Sequence, residues 1–172
     1  MIKITLPDGS IREYTENSTP MDVAKSISEG FARNVISASF NGTTVETTTP
    51  LTTDGDLILF TFNDAGGKKA FWHSSAHVLA EAILSFHPDA KLTIGPAIDN
   101  GFYYDIDLGD GVISDKDFTA IEKKFLEIAR GKHEFSIKPV SKADALVLYK
   151  GENNPYKVEL IENLTDGDIT FC

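Results

Sequence analysis

The chain has 172 residues, 41% of them apolar and 24% charged, enough for one large domain or two small ones with a core. Its net charge of −10 and pI near 4.7 carry the wrong sign for a freestanding nucleic-acid binder, because phosphate contacts are made largely by Lys and Arg. No apolar run approaches bilayer length, the N-terminus reads as a strand and not a signal peptide, and the single cysteine, Cys172, excludes an intramolecular disulfide. A cytoplasmic location without membrane association is expected.

Residues 1–62 read as one small unit. Met1 to Leu6 alternates like a strand, Pro7-Asp8-Gly9-Ser10 is a hairpin turn, and Ile11 to Tyr14 returns. Ser18-Thr19-Pro20 opens a helix whose buried face is Met21, Val23, Ala24 and Ile27, with Gly30 as its stop. Val35 to Phe40, Asn41-Gly42 and Thr43 to Glu46 predict a second hairpin, and Leu57 to Phe62 a buried strand. This order fits a sheet with one helix across its face.

Residues 63–70, with Gly66-Gly67-Lys68-Lys69, read as a flexible linker. They lack the strand, the Gly spacing and the Ser or Thr of a phosphate loop. A second unit, residues 71–172, opens with a helix whose core stripe is Trp72, Ala76, Leu79, Ile83 and Phe86. Leu92 to Ile94 and Phe102 to Asp107 are expected strands around the loop from Gly95 to Gly101. Ser114 caps a helix carrying Phe118, Ile121, Phe125 and Ile128. Phe135 to Ile137 is an expected strand, Ser141 to Tyr149 a short helix, and the alternating Tyr156-Lys157-Val158-Glu159-Leu160 a strand. The apolar end, Ile169-Thr170-Phe171-Cys172, suggests a piece of something longer.

The most informative feature is His73 and His77, four residues apart on the helix and so on one face of it. Imidazoles relay protons near neutral pH and bind metals, but two histidines packed at a helix border are the commoner outcome for such a pair. Ser74 stands where a metalloprotease needs Glu, and no spacing supplies a third zinc ligand, so no metal is expected. Gly95 and Gly101 are either turn residues or places where a ligand approaches the backbone, with Tyr103, Tyr104 and Asp105 as its wall. Lys157 alone is an ordinary strand lysine and gains interest only if its strand faces the histidine helix.

Together these strings resemble the threonyl-tRNA synthetase family at its N-terminal end. Leu6-Pro7-Asp8-Gly9-Ser10, Thr19-Pro20-Met21-Asp22-Val23-Ala24 and Asp54-Gly55-Asp56 are similar to a TGS domain, a ubiquitin-like β-grasp module. His73-Ser74-Ser75-Ala76-His77 and the string from Ile94 to Asp105 are similar to that family's editing domain. The resemblance implies an α+β chain, a β-grasp domain followed by an editing domain incomplete at its C-terminus. It also implies hydrolysis of serine wrongly esterified to threonine tRNA. A one-methyl difference supplies only about 1–3 kcal/mol of discrimination, so a second, hydrolytic site makes up the shortfall.

By resemblance, His73 and Lys157 activate water as general base and acid, and His77 orients the terminal ribose. Gly95, Tyr104 and Asp105 bind the aminoacyl group. The family's Cys-x-x-x-His element is not matched around Cys172, which is expected to precede it. No cofactor is implied for this part; ATP with Mg and a zinc ion belong to an aminoacylation core outside it. The implied partner is the 3′ end of threonine tRNA, and the complete enzyme is expected to be a homodimer. Two alternatives stay open: a non-catalytic interaction or RNA-regulatory module, and a metallohydrolase using the histidine pair.

Overall fold

The computed structural model describes residues 1–131, 133, 135, 137–167 and 169–171. Cys172, and Ser136 of the expected strand from Phe135 to Ile137, lie outside the described residues. The chain divides into two compact units, Met1–Ser74 with Ala97–Gly101 and Ser75–Pro96 with Phe102–Cys172.

In the first unit, β1 (Ile2–Thr5) and β2 (Ile11–Tyr14) pair antiparallel around a turn in which Gly9 has φ +80°. Helix α1 (Pro20–Ile27) starts on a reciprocal cap: Asp22 N–H donates to Thr19 Oγ1, and Thr19 N–H donates to the Asp22 carboxylate. Two backbone donors are thereby satisfied, and both hydrogen bonds from Thr19 hold the Asp22 carboxyl below its usual pKa. The helix ends at Ile27, not Gly30, because Ser28 is extended and caps a separate short turn, α2 (Glu29–Ala32), that contains Gly30. Val23 and Ala24 are fully buried, as the sequence predicts, whereas Ile27 stays 40% exposed.

Strands β3 (Val35–Phe40) and β4 (Thr43–Val45) form the second hairpin. Asn41 and Gly42 both take positive φ, the requirement of its tight turn. Strand β5 (Gly55–Thr61) completes a sheet of order β2-β1-β5-β3-β4, parallel to β1 and antiparallel to β3. Ile2, Ile4, Leu6, Val23, Ala38, Leu51 and Leu57 interlock as its core, and Tyr14, Phe40, Val45 and Leu59 pack around them. Burying each large member contributes roughly 1.5–3 kcal/mol relative to leaving it in water. Five mixed strands with one main helix across them are the β-grasp arrangement.

The expected linker is not a linker. Helix α3 runs continuously over Ala65–Leu84 and takes in both glycines. Glycine is there for space: a Cβ on Gly67 would overlap the Thr61 carbonyl, and one on Gly66 would lie 2.9 Å from the Phe60 ring. Small residues let the helix start press against the end of β5, and that contact outweighs the poor helix propensity of a Gly pair. Asp64 N–H donates to Thr61 O (3.0 Å), while the Asp64 carboxylate accepts from Thr61 N–H and Oγ1 at 2.7 and 2.8 Å.

The second unit is a mixed α and β region. Ala76, Ala80, Ala82 and Ile83 of α3 are buried, whereas Phe86, expected in the stripe, lies beyond the helix end and is 48% exposed. Ala82, Ile83 and Ile121 form one core cluster with Leu79, Ile106, Leu108, Ile113, Phe125 and Ile128 packed on it. Ile121, Phe125 and Ile128 belong to helix α4 (Asp115–Arg130), which starts at Ser114, whose N–H and Oγ–H both donate to the Asp117 carboxylate. Phe118, expected on that face, is 51% exposed.

The expected strands of residues 92–94 and 102–107 break into short pieces. Strand β6 (Lys91–Leu92) pairs with β9 (Ile106–Asp107), and β7 (Ala97–Ile98) with β8 (Gly101–Phe102). Strand β10 (Lys138–Pro139) pairs with β11 (Thr170–Phe171), and helix α5 (Lys142–Gly151) follows its Ser141 cap. The segment expected as a strand around Lys157 is helix α6 (Pro155–Glu162). Its N-cap Asn154 accepts from Lys157 N–H, and Pro155 sits at the first helical position. That start signal overrides five residues of alternation. Ala145 of α5, Ile161 of α6 and Ile169 make the last core cluster.

Candidate functional site

Of the candidate residues in the second unit, Gly95, Tyr104 and Asp105 adjoin the β6–β9 ribbon, and Lys157 lies on α6, whose first turn is fastened to it. Two hydrogen bonds extend that ribbon toward the glycine loop: Thr93 N–H to Asp105 O (3.0 Å) and Asp105 N–H to Ile94 O (2.9 Å). Thr93 Oγ1 adds a bond to the same Asp105 carbonyl at 2.7 Å. The backbone of Asp105 therefore locks the ribbon while its side chain is exposed. One residue earlier, Tyr104 lays its ring across Gly95, so closely that any Cβ at Gly95 would overlap the ring. Gly95 thus serves the Tyr104 ring rather than an unusual backbone angle. Tyr104 is half-buried; burial, and then neighbouring Tyr149, push its hydroxyl pKa up, which keeps it a neutral donor and acceptor at neutral pH.

Lys157 reaches this region by a different route from the one the sequence predicts. Asn154, only 7% exposed, uses both ends of its amide: Oδ1 accepts from Lys157 N–H at 3.1 Å and Nδ2 donates to Leu92 O at 3.2 Å. Tyr156 Oη donates to Asp107 Oδ2 at 2.7 Å. These bonds fasten the first turn of α6, and with it Lys157, to β6 and β9. The lysine is half-buried, and burial pulls its ammonium pKa below 10.5, easing release of a proton.

The histidines are one turn apart on α3. His73, in the first unit, is exposed; His77, in the second, is half-buried with its ring centroid 6.1 Å from that of Phe135. Among the described residues no three His, Cys, Asp or Glu side chains gather as a metal-binding group. Asn154 and Tyr149 are the site neighbours that sequence reasoning missed. The signal for Asn154 was present in Asn153-Asn154-Pro155, a helix-opening string obscured by the alternation after it. Tyr149 has no such signal, because only the tertiary fold brings it to Tyr104. No helix among the described residues is long and apolar enough to cross a membrane.

Residues 2–61 match the TGS domain family model. Over all 172 residues the chain is 68% identical to a threonine–tRNA ligase of Flavobacterium johnsoniae, covering 100% of the chain and 26% of that protein. It is 53% identical over 171 residues to a threonine–tRNA ligase of Cytophaga hutchinsonii, and 46% identical over 170 residues to one of Bacteroides thetaiotaomicron. Each match covers 99% of the chain and 26% of the relative. The chain is thus similar over its whole length to threonine–tRNA ligases while spanning about a quarter of theirs, and its residues 2–61 match the TGS domain family.

Proposed function

We propose that this chain is the proofreading part of a threonine–tRNA ligase and hydrolyses serine wrongly esterified to threonine tRNA. The observation that carries the reading is the Tyr104 ring seated on Gly95, beside a ribbon to which Asn154 fastens the helix of half-buried Lys157. An aromatic ring held on a glycine supplies a rigid wall against which a small group can be fitted, and a desolvated lysine is suited to proton transfer.

In this reading His73 takes a proton from the attacking water as it adds to the ester carbonyl. Lys157 delivers a proton to the departing ribose oxygen, and His77 holds the ribose. Gly95, Tyr104 and Asp105 bound the aminoacyl group and exclude the extra methyl of threonine. Aminoacylation, with its ATP, Mg and zinc, is assigned to other parts of the complete ligase, and so is most of the tRNA contact, in keeping with the acidic charge. We also propose that the complete enzyme is a homodimer in the cytoplasm.

The test is hydrolysis of preformed seryl and threonyl esters of the same threonine tRNA by the complete ligase and its His73→Ala variant. Selective loss of the seryl ester, reduced about a hundredfold or more in the variant, is expected for a general base. Hydrolysis that ignores His73, or none by the intact enzyme, refutes the reading.

A further inference from the structure

Helix α6 is fastened to the β6–β9 ribbon at two points, one on each strand. Asn154, its N-cap, holds β6 through Leu92 O. Tyr156, two residues on, holds β9: its Oη donates to Asp107 Oδ2 at 2.7 Å. The other oxygen of that carboxylate accepts from Gly109 N–H at 2.8 Å, so Asp107 is itself held from the side away from Tyr156. Lys91 pairs with Asp107 and Leu92 with Ile106, which puts the two anchors on adjacent rungs of the ribbon. Lys157 is the next residue after Tyr156, in the same first turn of helix.

A short helix held at one point can swing about it; held at two, it keeps one heading. The bond to Asp107 adds little to stability, because Tyr156 is 37% exposed and water competes for both partners. Its geometric effect is larger. From these rungs the ribbon continues through the Thr93 and Asp105 bonds into Gly95 and Tyr104. Asn154 and Tyr156 thus tie the lysine turn to the same two strands that lead to the aromatic wall. The acceptor is also durable: the Gly109 N–H first, then the Tyr156 hydroxyl, hold the Asp107 carboxyl below its usual pKa, so it stays ionised across neutral pH.

We propose that Tyr156 and Asp107 are positioning residues: their hydrogen bond, together with the Asn154 cap, sets the heading of α6 and so the place of the Lys157 ammonium relative to the wall that Tyr104 forms on Gly95. The inference rests on the proposed function insofar as Lys157 serves ester hydrolysis. Both residues act through the lysine and not on the ester. Their effect therefore falls on kcat and not on substrate binding, because a misplaced proton donor fails in the transition state and leaves the ground state as it was.

The experiment uses the complete ligase with Tyr156→Phe, Asp107→Ala, Lys157→Ala and the double variant of Tyr156→Phe with Lys157→Ala, each checked for folding by circular dichroism. Two quantities are read: hydrolysis of the preformed seryl ester of threonine tRNA, and the pH midpoint for acetylation of Lys157 by acetic anhydride, followed by peptide mass spectrometry. Tyr156→Phe and Asp107→Ala are each expected to lower kcat about tenfold with KM unchanged, short of the roughly hundredfold loss for a full ångström of misplacement. Both should also raise the Lys157 midpoint toward 10.5, as the freed turn lets water reach the ammonium. In the Lys157→Ala background Tyr156→Phe should cost nothing more, the non-additivity of residues that act through one group. A loss that adds in full to that of Lys157→Ala overturns the proposal and leaves the bond a structural one. A native rate and a native midpoint in both single variants overturn it as well. Lys157→Ala keeps the two readings apart. A midpoint that moves in Tyr156→Phe while Lys157→Ala hydrolyses at the native rate supports the positioning bond and removes the lysine from proofreading, whereas a slow Lys157→Ala beside a Tyr156→Phe that is native in both quantities does the reverse.

Discussion

Replacing Asn154 tests the strongest link between the lysine helix and the ribbon. Its amide does two jobs: it caps α6 through Lys157 N–H and it satisfies the carbonyl of Leu92. Losing an N-cap of this kind costs about 1 kcal/mol. Leaving the Leu92 carbonyl without its donor adds roughly another 1 kcal/mol, at the low end of the range for an unsatisfied group because Leu92 is only half-buried. Asn154→Ala is therefore expected to destabilise the chain by about 2 kcal/mol, a fall in Tm on the order of 10 °C for a unit of this size. Asn154→Ser keeps a cap acceptor but cannot span to Leu92, so it recovers about half the loss. Asn154→Asp keeps the cap but turns an oxygen toward the Leu92 carbonyl, and should be less stable than the serine variant. Urea and thermal unfolding followed by circular dichroism give the order: native, Ser, then Asp and Ala. If the alanine variant lies within about 0.5 kcal/mol of native, the reasoning fails, because neither bond then holds α6 in place.

Other positions make independent predictions. Gly67→Ala should lower stability by about 1–2 kcal/mol, since its Cβ would overlap the Thr61 carbonyl, although helix propensity alone predicts a gain of about 1 kcal/mol. A more stable alanine variant in a thermal melt would show that the helix start is not seated on β5. Gly95→Ala should displace the Tyr104 ring and relax selectivity against the threonyl ester more than it slows seryl-ester hydrolysis, which competitive hydrolysis of the two esters measures. Burial lowers the pKa of Lys157 in the folded chain, so between that value and 10.5 the unfolded chain holds more protons and folding becomes more favourable as pH rises. Lys157→Met should accordingly stabilise the chain at neutral pH, with an advantage that shrinks as pH climbs toward 10.5; denaturant midpoints across that window give the sign.

What could be read from sequence follows how local its cause is. Asn41-Gly42, Pro7-Asp8-Gly9 and the Thr19 and Ser114 caps act over four or five residues, and each appears where the sequence puts it. The meaning of Gly66-Gly67 depends on Thr61 and Phe60 pressing from the preceding strand, information that no local composition carries. At Lys157, alternation over five residues is weak evidence beside the Asn154-Pro155 helix start, and the helix prevails. At the site, the sequence marked Gly95 and Tyr104 separately; that one residue exists to receive the ring of the other appears only in the fold. Cys172 lies outside the described residues.

The uninterrupted start of α3 bears on how such a chain can be shuffled between proteins. Residues 63–70, glycine-rich and lying between the TGS domain and the histidine string, look like the natural place for recombination to cut. A TGS module transplanted with a break there would leave behind Gly66 and Gly67, against which its own Phe60 and Thr61 close, and would expose the end of its last strand. The heritable unit is thus larger than the sheet: it carries the first turns of the following helix with it, and a successful graft must splice inside a helix, in register, rather than through a loop.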